Sequence, residues 1–322
     1  MVIFLEIRIK FFSFPFLRFK SPCKNIEKNS LNKAFKVVLF VIAMKIIKNK
    51  FKLKELLYSL SKQKIGFVPT MGALHAGHIS LIKASKTSCD ITICSIYVNP
   101  TQFNSKKDLS NYPSSIKKDV ELLKKNHCDI LFKPNDFELY EDNLKSNEFD
   151  LNNLDKFMEG EYRPGHFQGV ATVVTKLFKI INPDIAFFGE KDLQQLVIIK
   201  HISNEFDLKI VSVPTVRDKN GLALSSRNKN LTKDNFKSAT IIYKSLCYCR
   251  DHINKYDIVT LKNKVKKLFE RSEFTLEYLE FVSMRTMHPV DFISDDLAIC
   301  IAATSENVRL IDNIIINARE TN

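Results

Sequence analysis

Two histidines three residues apart, His75 and His78, follow a short apolar run and a glycine turn. Ile65-Gly66-Phe67-Val68 leads into Pro69-Thr70-Met71-Gly72-Ala73-Leu74-His75-Ala76-Gly77-His78. The pattern predicts a strand, a tight turn and a helix beginning near Ile79. A helix start offers unpaired backbone N–H groups and the positive end of a dipole, and both suit phosphate oxygens. Imidazole donors placed there can meet charge that develops on a phosphoryl oxygen. Gly72 and Gly77 allow tight geometry and close approach of a ligand. Taken alone, the pair is equally compatible with satisfied surface histidines or with two ligands of a metal. Zinc is the weaker of these, because no Cys or carboxylate at ligand spacing completes a tetrahedral set nearby.

Three further runs hold polar residues that could share this chemistry: Asn99-Pro100-Thr101-Gln102-Phe103, Gly189-Glu190-Lys191-Asp192-Leu193-Gln194-Gln195 and Gly221-Leu222-Ala223-Leu224-Ser225-Ser226-Arg227-Asn228. Each has a plainer reading, as a turn residue, a helix-end charge pair and a loop. Together they suit nucleotidyl transfer. A phosphate-binding helix start, a lysine and a flexible Ser-Ser-Arg loop neutralise a departing polyphosphate by positioning and electrostatics. Gln102 and Gln195 are neutral amides, fit to hold a polar substrate bearing hydroxyl and carboxylate groups.

The elements that must carry these runs read as α/β. From Met44 a helix over about 52–61 leads to a strand at 65–68 and the helix after His78. The run 91–98, β-branched and apolar, suits a strand buried on both faces of a parallel sheet. A helix at 113–126, a strand at 130–132, a helix at 169–181, a strand at 185–188, a helix at 192–206 and a strand at 210–213 follow. Alternation of this kind implies βαβ units, a Rossmann-like sheet and a site at the strand C-termini. After Pro214 two long amphipathic helices (232–254 and 257–272) precede strands at 277–283, 297–303 and 308–316. The expected architecture is a Rossmann-like parallel-sheet domain over 44–215 and a smaller α+β lid domain over 216–322.

Residues 1–43 differ from the rest. They hold eight Lys/Arg against two Glu, eight of the 25 Phe and no glycine. The apolar stretch from Val37 to Met44 is too short to span a bilayer, and no small-residue cleavage site follows it. An organellar transit peptide is one reading; the plainer one is that Met44 is the start and the upstream residues lie outside the fold. This segment carries +6 of the net charge of +13. The remaining +7 includes solvated lysine-rich helix faces such as Lys262 to Lys267, which argues against a nucleic-acid-binding module. Seven cysteines without a Cys-x-x-Cys read as reduced thiols of a cytoplasmic protein. Cys89, Cys94 and Cys300 are expected to pack as small hydrophobes.

The runs PTMGALHAGH, SIYVNPTQF, YRPGHFQGVATVV, FFGEKDLQQL and GLALSSRN, in this order and followed by Arg309-Leu310-Ile311-Asp312-Asn313, resemble the pantoate–β-alanine ligase (pantothenate synthetase) family of the His-x-Gly-His nucleotidyltransferases. The resemblance runs from about Met44 to the C-terminus. It implies formation of an enzyme-bound pantoyl adenylate from ATP and pantoate, then attack by the amine of β-alanine, giving pantothenate, AMP and pyrophosphate. It assigns ATP binding to Met71, His75, His78, Gly189, Lys191, Asp192, Val216, Ser225, Ser226 and Arg227, with the histidines, Lys191 and the Ser225–Arg227 loop as the catalytic group. It gives pantoate to Gln102 and Gln195, and β-alanine to Gln102 and Asn99, and the domain over 44–215 is expected to bind ATP and pantoate. Arg163 and His166 are expected to order the pantoate side. Mg²⁺ should accompany ATP, with Asp119 a candidate contact, and a homodimer without membrane or nucleic-acid partners is expected. Two positions depart from the family pattern: Ala76, commonly Glu, and Lys118-Asp119, often two adjacent acids. Another nucleotidyltransferase of the superfamily, joining a nucleotide to a phosphate ester, is the rival reading. Both glutamines and the Gly-Glu-Lys-Asp run argue against it.

Overall fold

The computed structural model describes residues 44–293 and 296–316, so the expectations for residues 1–43 lie outside the described residues. The described chain belongs to one compact unit built on two sheets. The first sheet holds β1 (Lys45–Ile47), β2 (Ile65–Thr70), β3 (Ile91–Ile96), β4 (Ile130–Phe132), β5 (Ile185–Gly189) and β6 (Lys209–Val213). Its order is β1-β4-β3-β2-β5-β6 and every pairing is parallel. The helices of this half are α1 (Lys50–Ser59), α2 (Ala76–Ser88), α3 (Lys106–Ser110), α4 (Ile116–Lys125), α5 (Asp136–Tyr140), α6 (Glu159–Tyr162), α7 (His166–Ile181) and α8 (Leu193–Ile202).

The continuous apolar runs are explained by burial on both faces. Side chains alternate across a strand, so Phe67, Ile93, Phe132 and Ala186 enter one core with α7 and α8, while Val68, Cys94, Leu131 and Phe187 enter the other with α2 and α4. From β2 the chain moves outward through β3 and β4, then returns to place β5 and β6 on the opposite side of β2. The strand order therefore reverses between β2 and β5, where a parallel sheet opens a crevice beyond its strand C-termini.

The second half contains α9 (Lys233–Ser238), α10 (Thr240–His252), α11 (Ile258–Phe269) and an antiparallel sheet of β7 (Thr275–Ser283), β8 (Leu297–Ser305) and β9 (Val308–Ile316), in that order. Strand β8 sorts its side chains by size. Ile299 and Ile301 pack with α10 and α11, whereas Ala298, Cys300 and Ala302 join the core of the first half. Small residues on that face allow the two layers to approach closely.

Most expected elements are present, with shifted ends. The first helix starts earlier than its apolar pattern suggests, because the Asn49 side chain accepts from Phe51 N–H and Lys52 N–H and caps it. The helix expected over 232–254 is two helices that meet at Ala239. Strand β1 was not expected, nor were α3, α5 and α6; at three to five residues they are too short to show a period. Among the described residues, no helix is long and apolar enough to cross a membrane.

Candidate active site

Strand β2 ends at Thr70, and the next five residues turn back to start α2. Gly72 takes φ +86° and Ala73 φ +50°, a left-handed pair in which only the glycine is free of steric cost. The turn is held from below by Asp119 on α4. Its Oδ2 accepts from Ala73 N–H at 2.9 Å, and its Oδ1 accepts from Leu74 N–H at 2.8 Å and the Ser115 hydroxyl at 3.1 Å. Asp119 is buried and does not line the cleft. Its oxygens are occupied by backbone donors, so the expected Mg²⁺ contact gives way to a loop anchor.

His75 is the N-cap of α2. Its Nδ1 accepts from Gly77 N–H at 3.1 Å, and His78 Nδ1 accepts from His75 N–H at 3.3 Å. Both rings thus carry their proton on Nε2 when neutral. They lie 4.1 Å apart between centroids. Burial, then Lys191 and Lys229, lowers the pKa of His75 to about 4. Burial, then His75, lowers that of His78 to about 3. At neutral pH the pair presents two uncharged N–H donors. Ala76, one of the two departures from the family pattern, is exposed and absent from the cleft lining.

Beyond β3, residues 100–102 form a 3-10 turn capped by Asn99. Asn99 is buried with both ends of its amide engaged. Nδ2 donates to Gln102 Oε1 (3.1 Å) and Gly169 O (3.0 Å), while Oδ1 accepts from the Tyr140 hydroxyl (2.7 Å) and the Thr101 hydroxyl (3.1 Å). It does not reach the cleft; it orients Gln102, whose Nε2 is turned toward Met71 Sδ at 3.2 Å. His166 holds the same turn from α7, donating from Nδ1 to Gln102 O at 2.8 Å and accepting from Arg163 at Nε2 at 3.1 Å. Burial first, and Arg163 second, lowers its pKa to about 4.

Past β5, Gly189, Lys191, Asp192 and Gln195 line the same cleft. Lys191 Nζ lies 3.2 Å from Asp192 Oδ1. Burial alone would raise the Asp192 pKa; Lys191, then Arg227 and Arg163, hold it below the usual carboxylate range. The last wall comes from residues 214–227. Val216 and Leu224 pair through Leu224 N–H to Val216 O at 2.9 Å, and Ser225 caps a 3-10 turn that contains Ser226 and Arg227. The Ser226 hydroxyl donates to Ala73 O at 3.2 Å, tying this loop to the histidine turn. Arg227 pairs with Asp108 at 3.2 Å.

Met71, His75, His78, Gln102, Gly189, Lys191, Asp192, Gln195, Val216, Ser225, Ser226 and Arg227 therefore line one cleft, while Asn99 and Asp119 stand behind it. Tyr112, Glu159, Arg163, Tyr278 and Asn313 also line it, and among them only Arg163 was foreseen from sequence. Tyr278 and Asn313 come from the second sheet, from which the sequence reading assigned no site residue. The three lining carboxylates are neutralised locally, Asp192 by Lys191, Glu159 by Arg309 at 2.7 Å and Arg163 at 3.7 Å, and Asp312 by Arg217. Lys191, Arg227 and two neutral imidazoles face the same space. Such a surface favours a polyphosphate anion and charge building on phosphorus.

Comparison with known proteins agrees with this chemistry. The family model "Pantoate-beta-alanine ligase" matches residues 45–315. Pantothenate synthetase of Thermosipho africanus is 41% identical over 279 residues, covering 85% of this chain and all of the relative. That of Azobacteroides pseudotrichonymphae is 45% identical over 280 residues, 84% of this chain and 99% of the relative. Among solved structures, pantothenate synthetase from Thermus thermophilus superposes with a TM-score of 0.80 at 34% identity, over 85% of this chain and all of that one. The ligase from Francisella tularensis, in complex with beta-gamma ATP and β-alanine, superposes with a TM-score of 0.73 at 39% identity, over 87% and 99% of the two chains.

Proposed function

This chain belongs to the pantoate-beta-alanine ligase family, and from that premise we propose how its cleft joins a carboxylate to an amine. The enzyme is an ATP-dependent ligase that condenses pantoate with β-alanine. The observation carrying the residue assignment is the convergence of two neutral imidazoles, Lys191 and the Ser225–Arg227 turn opposite Gln102 and Gln195.

In the first step a pantoate carboxylate oxygen attacks the α-phosphorus of ATP. The new P–O bond makes pantoyl adenylate, and the bond to the β-phosphate breaks to release pyrophosphate. A carboxylate is already ionised at neutral pH, so no general base is needed. His75 and His78 donate from Nε2 to phosphate oxygens, and because they stay uncharged they give up no proton to the leaving group. Lys191, Ser225, Ser226 and Arg227 take the charge that moves onto pyrophosphate; Met71, Gly189, Asp192 and Val216 hold the nucleoside end. Gln102 and Gln195 hold pantoate by its hydroxyl and carboxylate groups. In the second step the β-alanine amine attacks the acyl carbon, the acyl–O bond breaks, AMP leaves, and the amine proton passes to solvent or to the leaving phosphate. Gln102 faces the amine as well, with Asn99 acting through it.

Mg²⁺ enters as part of the Mg·ATP substrate. Among the described residues no cluster of three His, Cys, Asp or Glu side chains could hold a metal, and Mg²⁺ commonly keeps its waters and binds through substrate phosphates. Functionally the chain divides near residue 215, with the parallel sheet binding nucleotide and pantoate and the remainder forming a lid. A homodimer in the cytoplasm is the corresponding state, supported by family membership.

The test is pantoate-dependent exchange of labelled pyrophosphate into ATP, followed by AMP release on adding β-alanine. Exchange without β-alanine, and AMP only with both substrates, is the expected result. AMP formed without pantoate, or a nucleotide joined to a phosphate ester, would refute the reading.

A further inference from the structure

Strand β9 carries Arg309-Leu310-Ile311-Asp312-Asn313, a run to which the resemblance gives no part in the chemistry. Three of its side chains reach across to other segments. Arg309 donates to both Glu159 oxygens at 2.7 Å and to Glu277 at 2.7 Å. Asp312 is buried in a two-pronged pair with Arg217, whose guanidinium lies 3.9 Å from the Tyr243 ring centroid. Asn313 is buried against the turn that follows β5. Its Nδ2 donates to Glu190 O at 2.9 Å and Lys191 O at 2.8 Å. Two carbonyls facing one amide admit only the NH₂ end, which settles the orientation of the side chain. The Asn313 N–H in turn donates to Asp312 Oδ1 at 2.8 Å, so the Arg217 pair steadies the backbone that presents the amide.

We propose that Asn313 is a positioning residue for Lys191: it clamps the two carbonyls of the 190–192 turn and so aims the lysine ammonium at the phosphate site. The inference rests on the role given to Lys191 above. A three-residue 3-10 turn has few internal hydrogen bonds, and Gly189 at its N-cap supplies no side-chain cap. Outside anchors must define it. A four-carbon stem also amplifies any rotation of its backbone, and the charge it carries acts only when well placed.

Asn313→Ala, Lys191→Ala and the double variant of the full chain would be measured in two assays. One is pantoate-dependent ATP–pyrophosphate exchange; the other is aminolysis of supplied pantoyl adenylate by β-alanine. The expected result is that Asn313→Ala slows exchange roughly tenfold or more, leaves aminolysis near wild type, and adds nothing to Lys191→Ala in the double variant. If Asn313→Ala does not fold, Asn313→Ser, which keeps a hydroxyl donor, takes its place. Equal loss in both steps marks a merely structural role and overturns the inference, as do additive effects in the double variant. Impaired Lys191→Ala with unimpaired Asn313→Ala overturns the inference alone; unimpaired Lys191→Ala removes the Lys191 role and the inference with it.

Discussion

Replacing Asp119 separates an anchor from a metal ligand. Asp119→Ala leaves Ala73 N–H and Leu74 N–H without their acceptor in a buried turn. An unsatisfied buried donor costs about 1–3 kcal/mol, with charge-assisted bonds at the upper end. Two of them cost about 4 kcal/mol, while the part-buried Ser115 hydroxyl can turn elsewhere at little cost. For a domain of this size each kcal/mol corresponds to roughly 2–4 °C, so melting should fall by about 8–16 °C. Asp119→Asn keeps one acceptor oxygen and should lose about half as much. The histidine turn follows Asp119 directly, so KM for ATP should rise in both variants in the same rank order. Urea unfolding, thermal melting and ATP titration at several Mg²⁺ concentrations read these effects. A variant with native stability but a higher Mg²⁺ requirement would refute the anchor and restore the metal contact.

Two other perturbations test the neighbouring walls. His166 ionises near 6.5 in the unfolded chain and only at about 4 in the fold. The unfolded state therefore binds the extra proton between those values, and the contribution is intact above about 6.5 and lost as pH falls toward 4. From pH 7 to 5 this amounts to about 2 kcal/mol, and His166→Gln should flatten the pH dependence of urea unfolding by that amount; an unchanged slope would count against it. Gly169 approaches the Gln102 turn so closely that a Cβ would sit 2.5 Å from Thr101 O and 2.7 Å from Gln102 N. Gly169→Ala should cost about 1–3 kcal/mol and raise KM for pantoate more than KM for ATP, and wild-type constants for both would disprove the contact.

Legibility followed distance along the chain. The histidine turn, the Gln102 turn, the 189–195 run and the Ser225–Arg227 loop each lie within a few residues after a strand or a bridge. Their chemistry could be read from residue type and spacing alone. The apolar runs of β2, β3 and β5 disclosed a sheet buried on both faces for the same reason, because a strand turns over every second residue. Elements of three to five residues, such as β1 and α6, left no such trace.

What the sequence determined by itself was the set of groups available and the parallel sheet that gathers them at its strand ends. Local periodicity and turn chemistry act over a few residues and need no distant partner. Tertiary structure alone decided which of those groups face the ligand. Asp119 and Asn99 have the right chemistry to touch substrate or metal, yet packing turns one toward Ala73 and Leu74 and the other toward Gln102, Gly169 and Tyr140. Asn313 lies 122 residues from Lys191 in sequence and within 2.8 Å of its carbonyl in the fold. A side chain's partner over such a span is set by how two layers pack, and the small face of β8, with Ala298, Cys300 and Ala302, is what lets the second sheet come close enough.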